Sequence, residues 1–294
     1  MEALLSLAFD NLSSYDGPKV RKGLRQVEGL LAQICLSQAS SSPTSSSADI
    51  TGYDPSDIEA PPARKGLAQL GDDPAFQEFF KLQEGFEWNV MLRLINTLDR
   101  LMGKGDDGQN DLLILNSLDL IQGVLLLHPP SKTLFAREQH MNLLLDLLEP
   151  VNCPAIQSAT LLTLVVALID TPFNTRTFEA LDGLLTVTSL FKSRSTSREV
   201  KMKLVEFLYF YLMPETPISR DATHGSSTYG SIIMKSGSLR SGSHTSSGSE
   251  VTLVDEDTEI LTTSEKQQLL GRYLSNVDDL VKDLRVCTPF GGVC

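Results

Sequence analysis

The sequence offers little that could build a metal site, a disulfide framework or a membrane span. Its four histidines are too dispersed for a zinc site by spacing. The longest uninterrupted apolar run, Leu164 to Ile169, is far shorter than the roughly 20 residues that a spanning helix requires. This predicts a soluble protein without integral membrane contact. Four scattered cysteines predict free thiols in a reducing, cytoplasmic environment: Cys35, Cys153, Cys287 and Cys294.

The motifs of common enzyme classes are also missing. Neither Cys35 nor Cys153 is followed by the Arg that a cysteine phosphatase uses to hold phosphate oxygens bidentately. No Gly-x-x-x-x-Gly-Lys loop and no kinase glycine-rich loop occurs. Without an arrangement of nucleophile and base, we predict a protein that is not an enzyme and needs no cofactor or catalytic metal.

Positive charge and aromatic residues are both scarce. The net charge of −12 argues against a general nucleic-acid binder. Aromatic residues make up 6% of the chain, and leucine dominates the apolar residues, which favours helices over strands.

Amphipathic pairs of helices recur about every 40 residues between residues 86 and 213, a period typical of armadillo or HEAT stacks. We therefore predict an all-α fold of stacked helical pairs. Helices are expected over residues 86–102, with Phe86 inward, and over 131–148. A helix over 154–170 is apolar nearly all round and is expected at the centre.

Two low-complexity segments interrupt this pattern. Residues 38–66, rich in Ser and Pro, are predicted to be a disordered insertion in a helical domain of residues 1–213. Residues 214–262, rich in Ser, Thr and Gly, are predicted to be a disordered linker. A last helix over 263–286, capped by Ser264 with Gln267, would either dock on the stack or bind a partner when free.

Residues 171–215 combine a short basic hinge, KSRSTSR at 192–198, with an aromatic helix. One helix is predicted over 175–191, and a second is expected to begin at a capping box of Thr196 and Glu199. The second helix carries aromatics around most of its circumference, which is typical of burial in the core or of contact with a partner. Both interpretations remain open at this point.

The same stretch resembles a known family. Its letters include RTFE at 176–179, FK at 191–192, REVKMK at 198–203 and EFLYFYLMPE at 206–215. With MEALLSLAFDNL at the start and KVRKGLR at 19–25, they resemble the fungal cell division control protein 14 family. This family is the component of the septation initiation network, not the dual-specificity phosphatase that shares its name. The resemblance covers most of residues 1–215.

The resemblance implies a non-catalytic scaffold that binds a germinal-centre (Ste20-like) protein kinase and promotes septum formation and cytokinesis at the spindle pole body or division site. An acidic partner segment would meet the basic hinge. Candidate partner contacts are Arg176, Glu179, Lys192, Arg194, Arg198, Lys201, Lys203, Tyr209, Phe210 and Tyr211. Short proline-directed or arginine-led patterns mark candidate phosphorylation sites at Ser42, Thr216, Thr223, Ser243 and Thr288.

An alternative function needs no kinase. Lys19, Arg21, Lys22 and Arg25 form a local basic patch in an acidic protein, so the chain could be a membrane- or cytoskeleton-associated adaptor that binds anionic lipid there.

Overall fold

The computed structural model describes residues 1–36, 65–66, 70–103, 108–215, 260–279 and 282, and no β-strand occurs among them. Eleven α-helices and one 3₁₀ segment make up the described fold. Their bounds are α1 Glu2–Leu12, α2 Gly17–Cys35, α3 Pro74–Glu84, α4 Val90–Met102, α5 Asp111–Leu127, the 3₁₀ segment Pro129–Ala136, α6 Glu138–Asp146, α7 Pro154–Leu168, α8 Pro172–Ala180, α9 Gly183–Lys192, α10 Arg198–Leu212 and α11 Thr263–Gly271.

The helices form two layers of stacked pairs. In the inner layer, α2 packs on α5, α5 on α7, and α7 on α10. The outer layer holds α1 against α4, and the 3₁₀ segment and α6 against α8. Successive pairs begin at Val90, Pro129 and Pro172, about 40 residues apart. The prediction of an all-α fold of stacked helical pairs is confirmed, and the layering is consistent with armadillo and HEAT architectures.

The central position of α7 explains its sequence. This helix packs against α5 on one side, α10 on the other, and α8 and the 3₁₀ segment behind. Because it is covered on three sides, an ordinary amphipathic pattern would leave polar groups buried. Gln122 of α5 donates to Thr163 Oγ1 at 3.0 Å and to Ala159 O at 3.3 Å and so links α5 to α7.

Several predicted boundaries were wrong, each for a local reason. Phe86 is 76% exposed because α4 begins only at Val90, where Asn89 caps it by accepting from Leu92 N. The helix predicted over 131–148 begins instead as a 3₁₀ segment, because Pro129 and Pro130 have no N–H for the α-helical ladder. The helix predicted over 175–191 is broken at Asp182, whose φ of 58° is left-handed.

The cap predictions missed by one or two residues. Ser197, rather than Thr196, caps α10 by accepting from Val200 N at 3.2 Å. The last helix starts with a capping box of Thr262 and Glu265 and ends at Gly271, whereas a longer helix over 263–286 was expected. By contrast, Asp73 and Pro74 start α3 as their letters indicate.

The described residues on the two sides of each low-complexity segment are in contact. Lys65 N donates to Cys35 O at 3.0 Å, so the described ends around the first segment are in contact. Glu215 N donates to Leu261 O at 3.3 Å around the second. The remainder of these segments lies outside the described residues. The helical core is therefore continuous across both of them.

Gly23 sets the distance between α1 and α2. A Cβ at this position would lie 2.9 Å from Leu12 N and 3.0 Å from Ala8 O, whereas one at Gly29 of the same helix would meet nothing within 4 Å. We expect Gly23→Ala to destabilise the protein by about 1–3 kcal/mol, because a backbone contact must yield. Gly29→Ala should stabilise it by about 0.5–1 kcal/mol through helix propensity. Urea unfolding of both variants checks the pair, and equal effects would contradict the close approach.

Candidate functional site

A charged cluster lies at the end of the stack, where α8, α10 and α11 meet. Arg176 and Glu179 lie one turn apart on α8 and pair at 3.1 Å. The same guanidinium group donates at 2.8 Å to Glu215, which follows α10. Lys266 of α11 pairs with the same oxygen of Glu215, Oε1, at 3.0 Å. Two cations and two carboxylates therefore join three helical elements, and their formal charges cancel.

Tyr211 completes this cluster from α10. Its hydroxyl donates to Glu179 Oε1 at 2.7 Å. The ammonium group of Lys266 lies 5.2 Å from the centroid of the Tyr211 ring and also donates to Met213 O at 3.1 Å. A cation over the face of a tyrosine ring is attracted by its quadrupole, which adds to the ion pair.

Burial shifts the pKa values of the cluster. It raises the pKa of Glu179, and the hydrogen bond from Tyr211 and the charge of Arg176 only partly oppose this. Burial and the nearby Glu179 carboxylate raise the pKa of the Tyr211 phenol. Burial lowers the pKa of Lys266, against the opposing effect of Glu215. Because all these groups are largely out of water, removing one ion would leave another buried without its counterion.

A pocket of about 150 Å³ opens beside the cluster, between the C-terminal ends of α7 and α10. Val165, Pro172 and Phe210 contribute apolar walls, while Glu215 and Lys266 contribute the polar end. The arrangement suits one apolar side chain next to a charged group.

The basic hinge lies at the adjacent edge of the stack, and its residues have different surroundings. Lys192 donates to Tyr273 O, beyond α11. Lys203 pairs with Glu206 at 2.7 Å. Arg194, Arg198 and Lys201 make no ion pair within the described part of the chain. We call these last three residues the basic edge.

The three aromatic candidates divide in a similar way. Tyr211 is buried in the charged cluster, whereas Tyr209 and Phe210 are half-buried and pack at the surface of α10. The structure thus brings Arg176, Glu179 and Tyr211 together inside the fold. In the basic edge, Arg194 and Arg198 are exposed and Lys201 is half-buried.

The inner helices expose apolar side chains on the side opposite their buried stripes, away from the outer layer. We call this surface the open face and define it by Leu112, Leu126, Leu162 and Met202, which are between 49% and 67% exposed. Sequence analysis did not predict this surface; of its residues, only Leu162 lay in a helix that was expected at the centre of the fold.

Sequence reasoning also missed Glu215 and Lys266. A signal for Lys266 was present: it lies four residues before Leu270, on the apolar stripe of α11, where a lysine is exceptional. Glu215 ends the EFLYFYLMPE run, but no pattern in the letters relates it to Lys266.

Three further sequence predictions concern phosphorylation sites, metal binding and membrane spans. The candidate phosphorylation sites Ser42, Thr216, Thr223, Ser243 and Thr288 all lie outside the described residues. In the part of the chain that the structure describes, no three His, Cys, Asp or Glu side chains come together as a metal site.

No single described helix is long and apolar enough to cross a bilayer. The bent pair of α5 and the 3₁₀ segment meets that test by length and composition alone.

Comparison with known proteins identifies the family. The family model described as Cell division control protein 14, SIN component, matches residues 1–290. This chain belongs to that family. It is 29% identical over 303 residues to Cell division control protein 14 of Schizosaccharomyces pombe (strain 972 / ATCC 24843), with 99% of this chain and 97% of the relative covered. No solved structure matches the chain.

Family membership confirms the resemblance seen in the sequence. It places the chain among components of the septation initiation network, and therefore in cell division, cytokinesis and septation. The matched region runs past residue 215 and includes α11, so the charged cluster lies entirely within the family's matched region.

Proposed function

We propose that this septation initiation network component is a non-catalytic scaffold that binds a germinal-centre (Ste20-like) protein kinase. The family description supports a role within a signalling network, where a component without catalytic motifs acts through its partners. The pair would act at the spindle pole body and division site to promote septum formation. The absence of a catalytic role is inferred from the sequence, which carries no phosphatase, kinase or P-loop motif.

The observation that carries this proposal is the juxtaposition of the basic edge with exposed apolar residues on α10. Arg198 and Lys201 flank the helix position of Met202, which is 59% exposed. A partner helix with an apolar face and acidic flanking residues fits such a surface, because the apolar contacts give affinity and the charges orient the helix. The open face continues this apolar surface across α7 and α5.

Charge removal at the basic edge tests the proposal. We expect the triple variant Arg194→Gln, Arg198→Gln and Lys201→Gln to weaken kinase binding about tenfold at low salt and much less at 0.5 M salt, because exposed charges are screened. Lys203 is left unchanged because Glu206 already neutralises it. Titration of the co-expressed, purified kinase at both salt concentrations gives the affinities.

The matched control removes three charges at the other end of the stack. Arg21→Gln, Lys22→Gln and Arg25→Gln alter exposed residues of α2, which α5 and α7 separate from α10. Kinase affinity should not change in this control. Unchanged affinity in the basic-edge variant, or an equal loss in both variants, would contradict the proposed contact.

The α2 variant also tests the adaptor alternative. Lys19, Arg21, Lys22 and Arg25 are all exposed and make no ion pair among the described residues, which favours a contact with an anionic surface. If the protein is a membrane adaptor, the wild type binds acidic liposomes at physiological salt and the α2 variant does not. If it is a kinase scaffold alone, neither binds them.

A further inference from the structure

α11 covers residues that sequence resemblance assigns to partner contact. Arg176, Glu179 and Tyr211 have their polar groups engaged within the cluster that Lys266 closes. Arg176 keeps 24% of its side chain exposed, but a partner could reach Tyr211, which is 4% exposed beneath Lys266, only if α11 left its position. The location of α11 therefore bears directly on how the proposed scaffold binds its kinase.

The attachment of α11 is confined to a small area. The helix has nine residues, and α10 is the helix that it chiefly contacts. Leu270 is fully buried, and Leu274 and Val277, which follow the end of α11, are also buried. A helix of this length does not persist alone in water, so α11 is helical because it is docked. We call the surface beneath it the α11 seat, formed by Glu179, Tyr211 and Glu215.

The ion pair between Lys266 and Glu215 adds little to the free energy of docking α11, but it determines which helix can occupy the seat. Lys266 is only 4% exposed and pairs with Glu215, whose side chain is 6% exposed. Desolvation offsets much of the attraction in such a pair, while leaving either charge alone is strongly unfavourable. Burial lowers the pKa of Lys266 while the Glu215 carboxylate raises it, so desolvation and charge attraction oppose each other here as well.

A vacated seat would favour the binding of a replacement cation. Without Lys266, Glu179 and Glu215 share the single positive charge of Arg176, which leaves one net negative charge beside the Tyr211 ring. The apolar pocket next to Glu215 would also lose part of its lining. A lysine supplies the cation and the pocket wall, and a leucine four residues later supplies a buried apolar contact, as Lys266 and Leu270 do within α11.

On the basis of the proposed function, we propose that the α11 seat is a second kinase-binding site, at which a lysine-bearing amphipathic helix of the kinase exchanges with α11. The chemistry required here is opposite to that at the basic edge, which takes acidic residues. α11 and the kinase helix would therefore compete for one seat, while the basic edge stays available in both states. The kinase could then bind first at the basic edge alone. It would bind at both sites, and more tightly, once its helix had replaced α11.

The first experiment tests the seat without the kinase. Leu270→Asp in the full chain should release α11, because a carboxylate cannot be buried there without a partner. Gln268→Asp, at an exposed position of the same helix, is the matched control. A labelled peptide of residues 260–279 should bind the Leu270→Asp protein at least about tenfold more tightly than the Gln268→Asp protein. Equal peptide binding to the two proteins would overturn the exchange.

The second experiment measures kinase affinity of the same full-length proteins. If α11 and the kinase compete, Leu270→Asp should bind the kinase about fivefold more tightly than the wild type, and Gln268→Asp should match the wild type. Unchanged or weaker kinase binding by Leu270→Asp overturns competition, and weaker binding identifies α11 as part of the kinase contact. If no form binds the kinase, the proposed function and the partner assigned to the seat both fail, while the peptide titration still reports whether α11 exchanges.

Discussion

Gly183→Ala is expected to destabilise the protein by about 3 kcal/mol. A Cβ at this position would overlap the Phe178 ring and lie 2.6 Å from Phe178 O. Phe178 cannot move aside, since it is fully buried and its ring centroid lies 5.6 Å from that of Phe207. The left-handed Asp182 brings α9 back over α8 at this point, so the close approach is a property of the chain path itself.

Guanidinium chloride unfolding measures the effect, and a double-mutant cycle tests its cause. In the Phe178→Leu background the smaller side chain leaves more room, so adding Gly183→Ala should cost about 1 kcal/mol less there than in the wild type. Additive losses would show that Phe178 is not the obstacle. Gly271→Ala, where a Cβ would meet nothing within 4 Å, is the control and should not destabilise.

The break at Asp182 shows what sequence periodicity can and cannot predict. Apolar spacing reveals how many helices exist and which sides are buried, because burial of a stripe is a repeated, local demand. The prediction of one helix over 175–191 rested only on the spacing of apolar residues. The Asp182-Gly183 dipeptide is a turn signal, yet it lies within an apolar pattern that continues on both sides. Only the position of Phe178 in the core explains why glycine is required there.

The charged cluster shows the same limit for the site. Arg176, Glu179 and Tyr211 lie in the one stretch that carries the family resemblance, so the sequence could predict that they are close together. Lys266 lies beyond a long low-complexity segment, and its contact with Glu215 depends on where α11 docks. Tertiary contacts across such a separation leave no spacing rule in the letters. The open face was missed for another reason, since an exposed leucine and a buried leucine look alike until the outer layer is placed.

Acidification is expected to destabilise the protein through His128. The ring is 3% exposed at the C-terminal end of α5, and burial lowers its pKa from 6.5 to about 4. Nδ1 lies 2.8 Å from Ser131 Oγ, the edge of Phe80 packs 4.4 Å away between centroids, and Nε2 has no partner among the described residues. A second N–H on this ring would thus be buried without an acceptor.

The sign of the effect follows from the two pKa values. Between pH 6.5 and about 4 the unfolded chain binds a proton at His128 while the folded protein does not, so stability falls as the pH is lowered. A shift of this size corresponds to about 3 kcal/mol, fully present above pH 6.5 and lost below pH 4. Groups such as Glu179 and Asp146, whose pKa values burial raises, act in the opposite direction, so the His128 contribution must be isolated by a variant.

His128→Gln provides that variant. At pH 7.5 it should be less stable than the wild type, because the packing against Phe80 is lost while neither side chain is charged. As the pH falls to 4, the difference should shrink by about 3 kcal/mol, since glutamine does not titrate and every other group is shared. Urea unfolding of both proteins between pH 4 and pH 7.5 measures the difference. Parallel stability curves would show that the buried imidazole accepts its proton as readily in the folded protein as in the unfolded chain.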